Sequence, residues 1–148
     1  MGIGWLPRER LHACEDFSSE DKCDEFLALV TEAQSNMSYE VAVELLRTFS
    51  DADDFGVQER TRNSVEAADR HLFYPALVGE LGGLILRSPE KQWAVTLVGI
   101  EAEYGDFNLL LSYVSRASEV ERDTFVSFIK SEEFLSEYPV ASKYLTSL

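Results

Sequence analysis

Lysine and arginine are scarce in this chain: 13 against 27 aspartates and glutamates, for a formal net charge of −14 over 148 residues. A nucleic-acid backbone needs a cationic surface, so direct nucleic-acid binding is not expected. An anionic membrane surface is disfavoured for the same reason. Cysteine is nearly absent too, and Cys14 with Cys23 does not make a disulfide framework. His12, Cys14 and Cys23 fall short of the four ligands in paired spacing that zinc sites use. No metal or cofactor is therefore expected. The longest apolar stretch, Tyr74 to Leu86, is broken by Glu80 and several glycines and is too short to span a bilayer. Met1 to Leu6 is too brief for a signal peptide, and Pro7, Arg8, Glu9 and Arg10 follow at once. The expectation is a cytoplasmic, soluble protein.

Signatures of chemistry are missing as well. Asp51-Ala52-Asp53-Asp54-Phe55-Gly56 starts like a calcium-binding loop, but Phe55 takes the fifth position and Arg62 the twelfth, where a bidentate glutamate is required. The glycines of 79–83 lack the Lys-Ser or Lys-Thr of a phosphate-binding loop. No nucleophile elbow surrounds any serine. Carboxylates are so abundant that spacing alone nominates no acid–base pair. Asp69-Arg70-His71 falls where a helix is expected to end, and His71 is read as solvated there rather than as a general base. No enzymatic activity is expected. A small enzyme using scattered carboxylates would reveal itself by a strongly perturbed carboxylate in a concave pocket.

What the chain does have is helical periodicity and enough apolar residues, 45%, for one domain with a core. Residues 1–17 read as irregular, with Trp5 and Phe17 packing onto the body. Ser18 and Asp21 suggest a capping pair, and Phe26, Leu29, Val30 and Ala33 share one face of the helix that follows. Ser38 caps a helix with the stripe Ala42, Leu45, Leu46 and Phe49. The stretch 57–68 is polar, with only Val57, Val65 and Ala68 to bury. Tyr74-Pro75 is expected to start an almost wholly apolar, central helix. Its Gly79, Gly82 and Gly83 are expected to admit a neighbouring backbone. Ser88-Pro89 should cap the next helix, which carries Trp93, Ala94, Leu97 and Val98 and ends at Tyr104-Gly105. Phe107, Leu110, Leu111 and Val114 line the following helix. Ser118 with Glu121 caps another, anchored by Val120, Phe125, Phe128 and Ile129. A short acidic segment and a turn opened by Pro139 complete the chain. β-type alternation is nowhere sustained. The expected fold is a single all-α domain over 1–148, of HEAT-like antiparallel helix pairs, with about seven or eight helices.

The pairing rests on an internal repeat. At an offset of 52 positions (90 minus 38), Ser38–Phe55 falls on Glu90–Phe107. Ala42 then matches Ala94, Val43 Val95, Leu45 Leu97, Asp54 Asp106 and Phe55 Phe107. Leu46 over Val98 and Asp51 over Glu103 are conservative. Each copy reads as an apolar helix, an acidic loop, an Asp-Phe pair and a second helix. Equivalent loops of stacked pairs emerge on one edge. Acids interleaved with aromatics suit a cationic partner, charge steering the encounter and rings supplying anchor area. The candidate partner-binding residues are Asp51, Asp53, Asp54, Phe55, Glu101, Glu103, Tyr104 and Asp106. Asp54 and Asp106 serve equally as helix caps, and Phe55 and Phe107 as core staples. Asp51, Asp53, Glu101 and Glu103 have no evident local job, which favours them for an interface. Acidity also aids solubility in its own right.

The stretch Asp53-Asp54-Phe55-Gly56-Val57-Gln58-Glu59, through Val65-Glu66-Ala67-Ala68, Tyr74-Pro75-Ala76-Leu77 and Arg87-Ser88-Pro89-Glu90, resembles the helical, HEAT-like immunity proteins of bacterial polymorphic-toxin and contact-dependent growth inhibition systems. The likeness covers residues 38–116. Trp93 follows Pro89 by four residues, a wider spacing than the family pattern. The resemblance implies a protein without catalysis that binds the C-terminal domain of a cognate toxin as a 1:1 heterodimer. The toxin would be a basic nuclease, an RNase, and its active site or substrate cleft would be occluded. The alternative is a helical adaptor that takes a protein or peptide partner in a groove.

Overall fold

The computed structural model describes residues 20–51 and 57–147, and all regular structure among them is helical. The expected capping pair at Ser18, the irregular segment 1–17 and the loop residues 53–56 lie outside the described residues. Helix α1, Glu20–Ser35, buries Phe26, Leu29, Val30 and Ala33, the 3–4 spacing of one helical face, and packs on α3, Val57–Glu66. Helix α2, Tyr39–Leu46, starts where the Val41 N–H donates to Ser38 Oγ at 3.1 Å. Its stripe Ala42, Leu45 and Leu46, together with Phe49 just beyond, is fully buried.

Helix α3 buries more than its three expected apolar residues. Gln58, Thr61 and Ser64 are buried beside Val57 and Val65, whereas Ala68 is only half-buried. Burying a polar group is costly unless it is bonded, and each of these is. Thr61 Oγ1 donates to the Val57 carbonyl at 3.0 Å, Ser64 Oγ to that of Arg60 at 3.2 Å, and Gln58 Oε1 accepts from the Ser50 N–H at 2.7 Å.

The central helix, α4, spans Arg70–Arg87 and so begins five residues before Pro75, which lies inside it. Asp69, expected near the end of a preceding helix, is the N-cap of α4 and accepts from the His71 N–H at 2.8 Å. An interior proline removes a ladder bond and costs about 3 kcal/mol. The extra turn offsets this by burying Phe73 and Tyr74 completely. His71 is therefore a first-turn residue, its ring 2.5 Å from the Tyr113 hydroxyl. Helix α4 packs against α2 and α3, and against α5 (Trp93–Tyr104), α6 (Phe107–Arg116) and α7 (Glu119–Ile129). The atoms facing Gly79 and Gly82 are side chains of α2 and α7, those of Tyr39, Glu121 and Thr124, rather than a backbone. The last turn of α4 leaves the core, with Ile85 36% and Leu86 83% exposed.

Ser88 closes α4 rather than opening α5: its Oγ donates to the Leu84 carbonyl at 2.7 Å. The chain then turns and enters α5 through Gln92, a left-handed residue at φ 53°. Helix α6 is capped by Asp106. A reciprocal capping box of Ser118 and Glu121 starts α7, where Phe125 and Ile129 are buried but Val120, expected as an anchor, is 76% exposed. Helix α8, Glu132–Glu137, and a 3₁₀ helix, Pro139–Ser147, cover α5. Gly99 makes this possible, because a Cβ there would collide with the Tyr138 ring.

Candidate partner-binding corner

Where α5 hands over to α6, a buried hydrogen-bond network sits directly beneath an exposed aromatic tip. The Tyr74 ring is fully buried, so its hydroxyl must find partners inside the fold. It donates to Glu101 Oε1 at 2.5 Å and accepts from the Asp106 N–H at 3.0 Å. Asp106 in turn accepts from the Leu109 N–H at 3.1 Å, capping α6. One phenol thus ties α4, the end of α5 and the start of α6 together. Gly105 has no room for a side chain, since a Cβ would strike Glu101 and the Tyr74 hydroxyl.

Burial sets the electrostatics here. It pushes the Glu101 carboxyl above the ordinary glutamate range, against the lowering pull of the Tyr74 hydrogen bond and of Arg70. Burial, and then the hydrogen bond to Glu101, raise the Tyr74 phenol in turn. Glu66, at the end of α3, is also raised, by burial first; Arg62 pulls it down and the charge of Glu101 pushes it up. Arg62 grips Glu66 and Glu59, both at 2.9 Å. Elsewhere Arg47 holds Glu80 at 2.9 Å.

The expected interface residues separate into three groups. Glu101 is only 6% exposed and serves the fold, which corrects the expectation that it lacks a local job. Asp51 is corrected likewise: it is half-buried and accepts from the Glu90 N–H at 3.1 Å and the Lys91 N–H at 2.8 Å. Asp53, Asp54 and Phe55 lie outside the described residues. Glu103, Tyr104 and Asp106 are exposed on one turn, with Tyr104 at 80%. Asp106 also caps α6, and Phe107 is a core residue. The structure adds Tyr138 and Glu137, missed in the sequence. Burial raises the Tyr138 phenol, and the charges of Glu103 and Glu137 raise it further. The mid-helix Gly99 and the four-residue spacing of Phe134 and Tyr138, whose rings pack tilted with centroids 5.8 Å apart, were the available signals.

No group of three metal-ligating side chains converges among the described residues, and no helix there is long and apolar enough to cross a membrane. The fold and the corner define an all-α protein that presents an anchored, acid-flanked tyrosine. No family model, curated protein or solved structure matches the chain.

Proposed function

We propose that this chain is a non-enzymatic binding protein that neutralises a basic protein partner, as immunity proteins do for their toxins, and that it engages this partner through Glu103, Tyr104 and Asp106. The observation that carries the reading is Tyr104, a large ring held 80% exposed on a turn fixed from below by Tyr74 and Glu101. A ring on a rigid turn loses little freedom on binding and supplies the area from which hot spots are made. The acids around it and the charge of −14 favour a cationic surface such as a nuclease cleft, and would speed encounter with it. The likeness of residues 38–116 to immunity proteins points the same way. The complex would be a 1:1 heterodimer.

The test is co-expression and co-purification with the C-terminal domain encoded immediately upstream. Rescue of growth and a stable complex are expected. Tyr104→Ala should weaken the complex by about 2 kcal/mol or more, and Glu103→Lys should slow association while flattening its dependence on salt. Toxicity without rescue or binding would end the immunity reading, and full binding by both variants would end the assignment of the corner.

A further inference from the structure

A second surface lies at the other ends of the helices that build the corner. Two adjoining hollows share Ile85 and Phe128. One, open and of about 480 Å³, runs along Asp123, Thr124 and Ser127 of α7. The other, of about 240 Å³, is bounded by Ser88, Pro89, Gln92, Ala94, Val95 and Glu133. Together they form a groove between the last turn of α4, the first turn of α5, α7 and α8. Along α4, Ile85 is 11 residues beyond Tyr74, roughly 16 Å at the helical rise, so this groove is distinct from the corner.

Its apolar lining is Ile85, Phe128, Val95 and Pro89, its acids are Asp123 and Glu133, and no lysine or arginine lines either hollow. Leu86, beside Ile85 in the sequence, is the most exposed large apolar side chain of the described residues. The wall formed by residues 88–92 is held in place, because Asp51 binds two of its amides and Gln92 is kept at a positive φ. A non-glycine residue in that region is uncommon, and such conformations concentrate at functional sites.

We infer that this groove docks a short amphipathic helix of a protein partner, with aliphatic anchors toward Ile85 and Phe128 and lysine or arginine toward Asp123 and Glu133. Charge complementarity selects the basic flanks. The helical form follows from what the groove offers. No sheet edge exists among the described residues to add a strand, so recognition rests on side-chain anchors, which an amphipathic helix presents at 3–4 spacing to an apolar surface. The partner of the corner could supply such a helix, but the groove stands on its own residues.

The probe is a labelled peptide of roughly 16 residues, long enough to fold on binding, with leucines at 3–4 spacing and lysines at both flanks. Fluorescence anisotropy compares it with a peptide whose flanks are glutamate and with one whose leucines are serine. The full chain is used as wild type, Ile85→Lys, the double variant Asp123→Lys/Glu133→Lys, and Tyr104→Ala, each checked for helicity. The lysine-flanked peptide is expected to bind with a micromolar Kd, and the two control peptides at least about tenfold more weakly. Ile85→Lys and the double variant should each lose about tenfold, while Tyr104→Ala should change nothing, which separates this groove from the corner. The inference is overturned by no binding to wild type, by equal binding of the serine peptide, or by well-folded groove variants that bind as wild type does. A free chain that sediments as a dimer, and that Ile85→Lys makes monomeric, would assign the groove to a second copy and overturn it too.

Discussion

Asp51 turns its carboxylate onto the amides of Glu90 and Lys91, whereas Glu103, its counterpart in the second copy of the repeat, is exposed beside Tyr104. The helices before them use equivalent positions alike: Ala42 and Ala94, Leu45 and Leu97, Leu46 and Val98 are all buried. Helix faces are set by local periodicity. The fate of the matched acid depends on what lies opposite. Asp51, in the loop after α2, meets the N–H groups of a turn, whereas Glu103, in the last turn of α5, faces solvent. An acid at these matched positions is thus a latch or a surface charge according to its neighbour.

The largest expected effect comes from beneath the exposed tip. Glu101→Ala removes the acceptor of a buried phenol and should cost roughly 1–3 kcal/mol, read by urea unfolding. Glu101→Gln keeps an oxygen in place for Tyr74 to donate to and should cost much less. If alanine and glutamine behave alike, the corner is not held by that bond.

The direct contrast is next. Asp51→Ala should lose about 1–2 kcal/mol, as caps of backbone N–H groups do, while Glu103→Ala should stay within about 0.5 kcal/mol of wild type. Equal losses from the two variants would erase the distinction between latch and surface.

The response to pH sharpens it further. Glu101 and Glu66 titrate higher in the fold than the ordinary value of 4.5. The native state therefore binds more protons than the unfolded one between 4.5 and the raised folded values. Their contribution to stability falls as pH rises through that window and recovers on acidification. Glu101→Gln should flatten this component in melting curves taken upward from pH 4.5. An undiminished slope would mean that Glu101 is ionised at no cost.

The smallest effect concerns the latched turn itself. Gln92→Gly relieves a left-handed residue and should raise stability by up to about 1 kcal/mol, measured as an increase in Tm. A decrease would mean that the Gln92 side chain contributes more than its backbone costs.

Much of this was legible from the sequence because it is local. The Ser38 cap, the Ser118–Glu121 box, the Tyr104-Gly105 stop and the stripes of α1, α2 and α6 each depend on residues within four positions, and the helical geometry fixes what those residues can reach. The start of α4 was not legible. Pro75 marks a first turn by local rules, and only the burial of Phe73 and Tyr74 makes an earlier start favourable. The same holds for Gln58, Thr61 and Ser64, whose polarity argued for exposure until their partners were in place.

By itself, then, the sequence determined an all-α chain, most of its apolar faces, and a strong acidic excess. Tertiary structure decided which acids remain on the surface. Glu101 and Glu103 are two residues apart on one helix, and the side of α5 that meets Tyr74, 27 positions earlier in the chain, buries the first and leaves the second to water. That choice rests on a long-range hydrogen bond and on burial, and neither is written in local spacing.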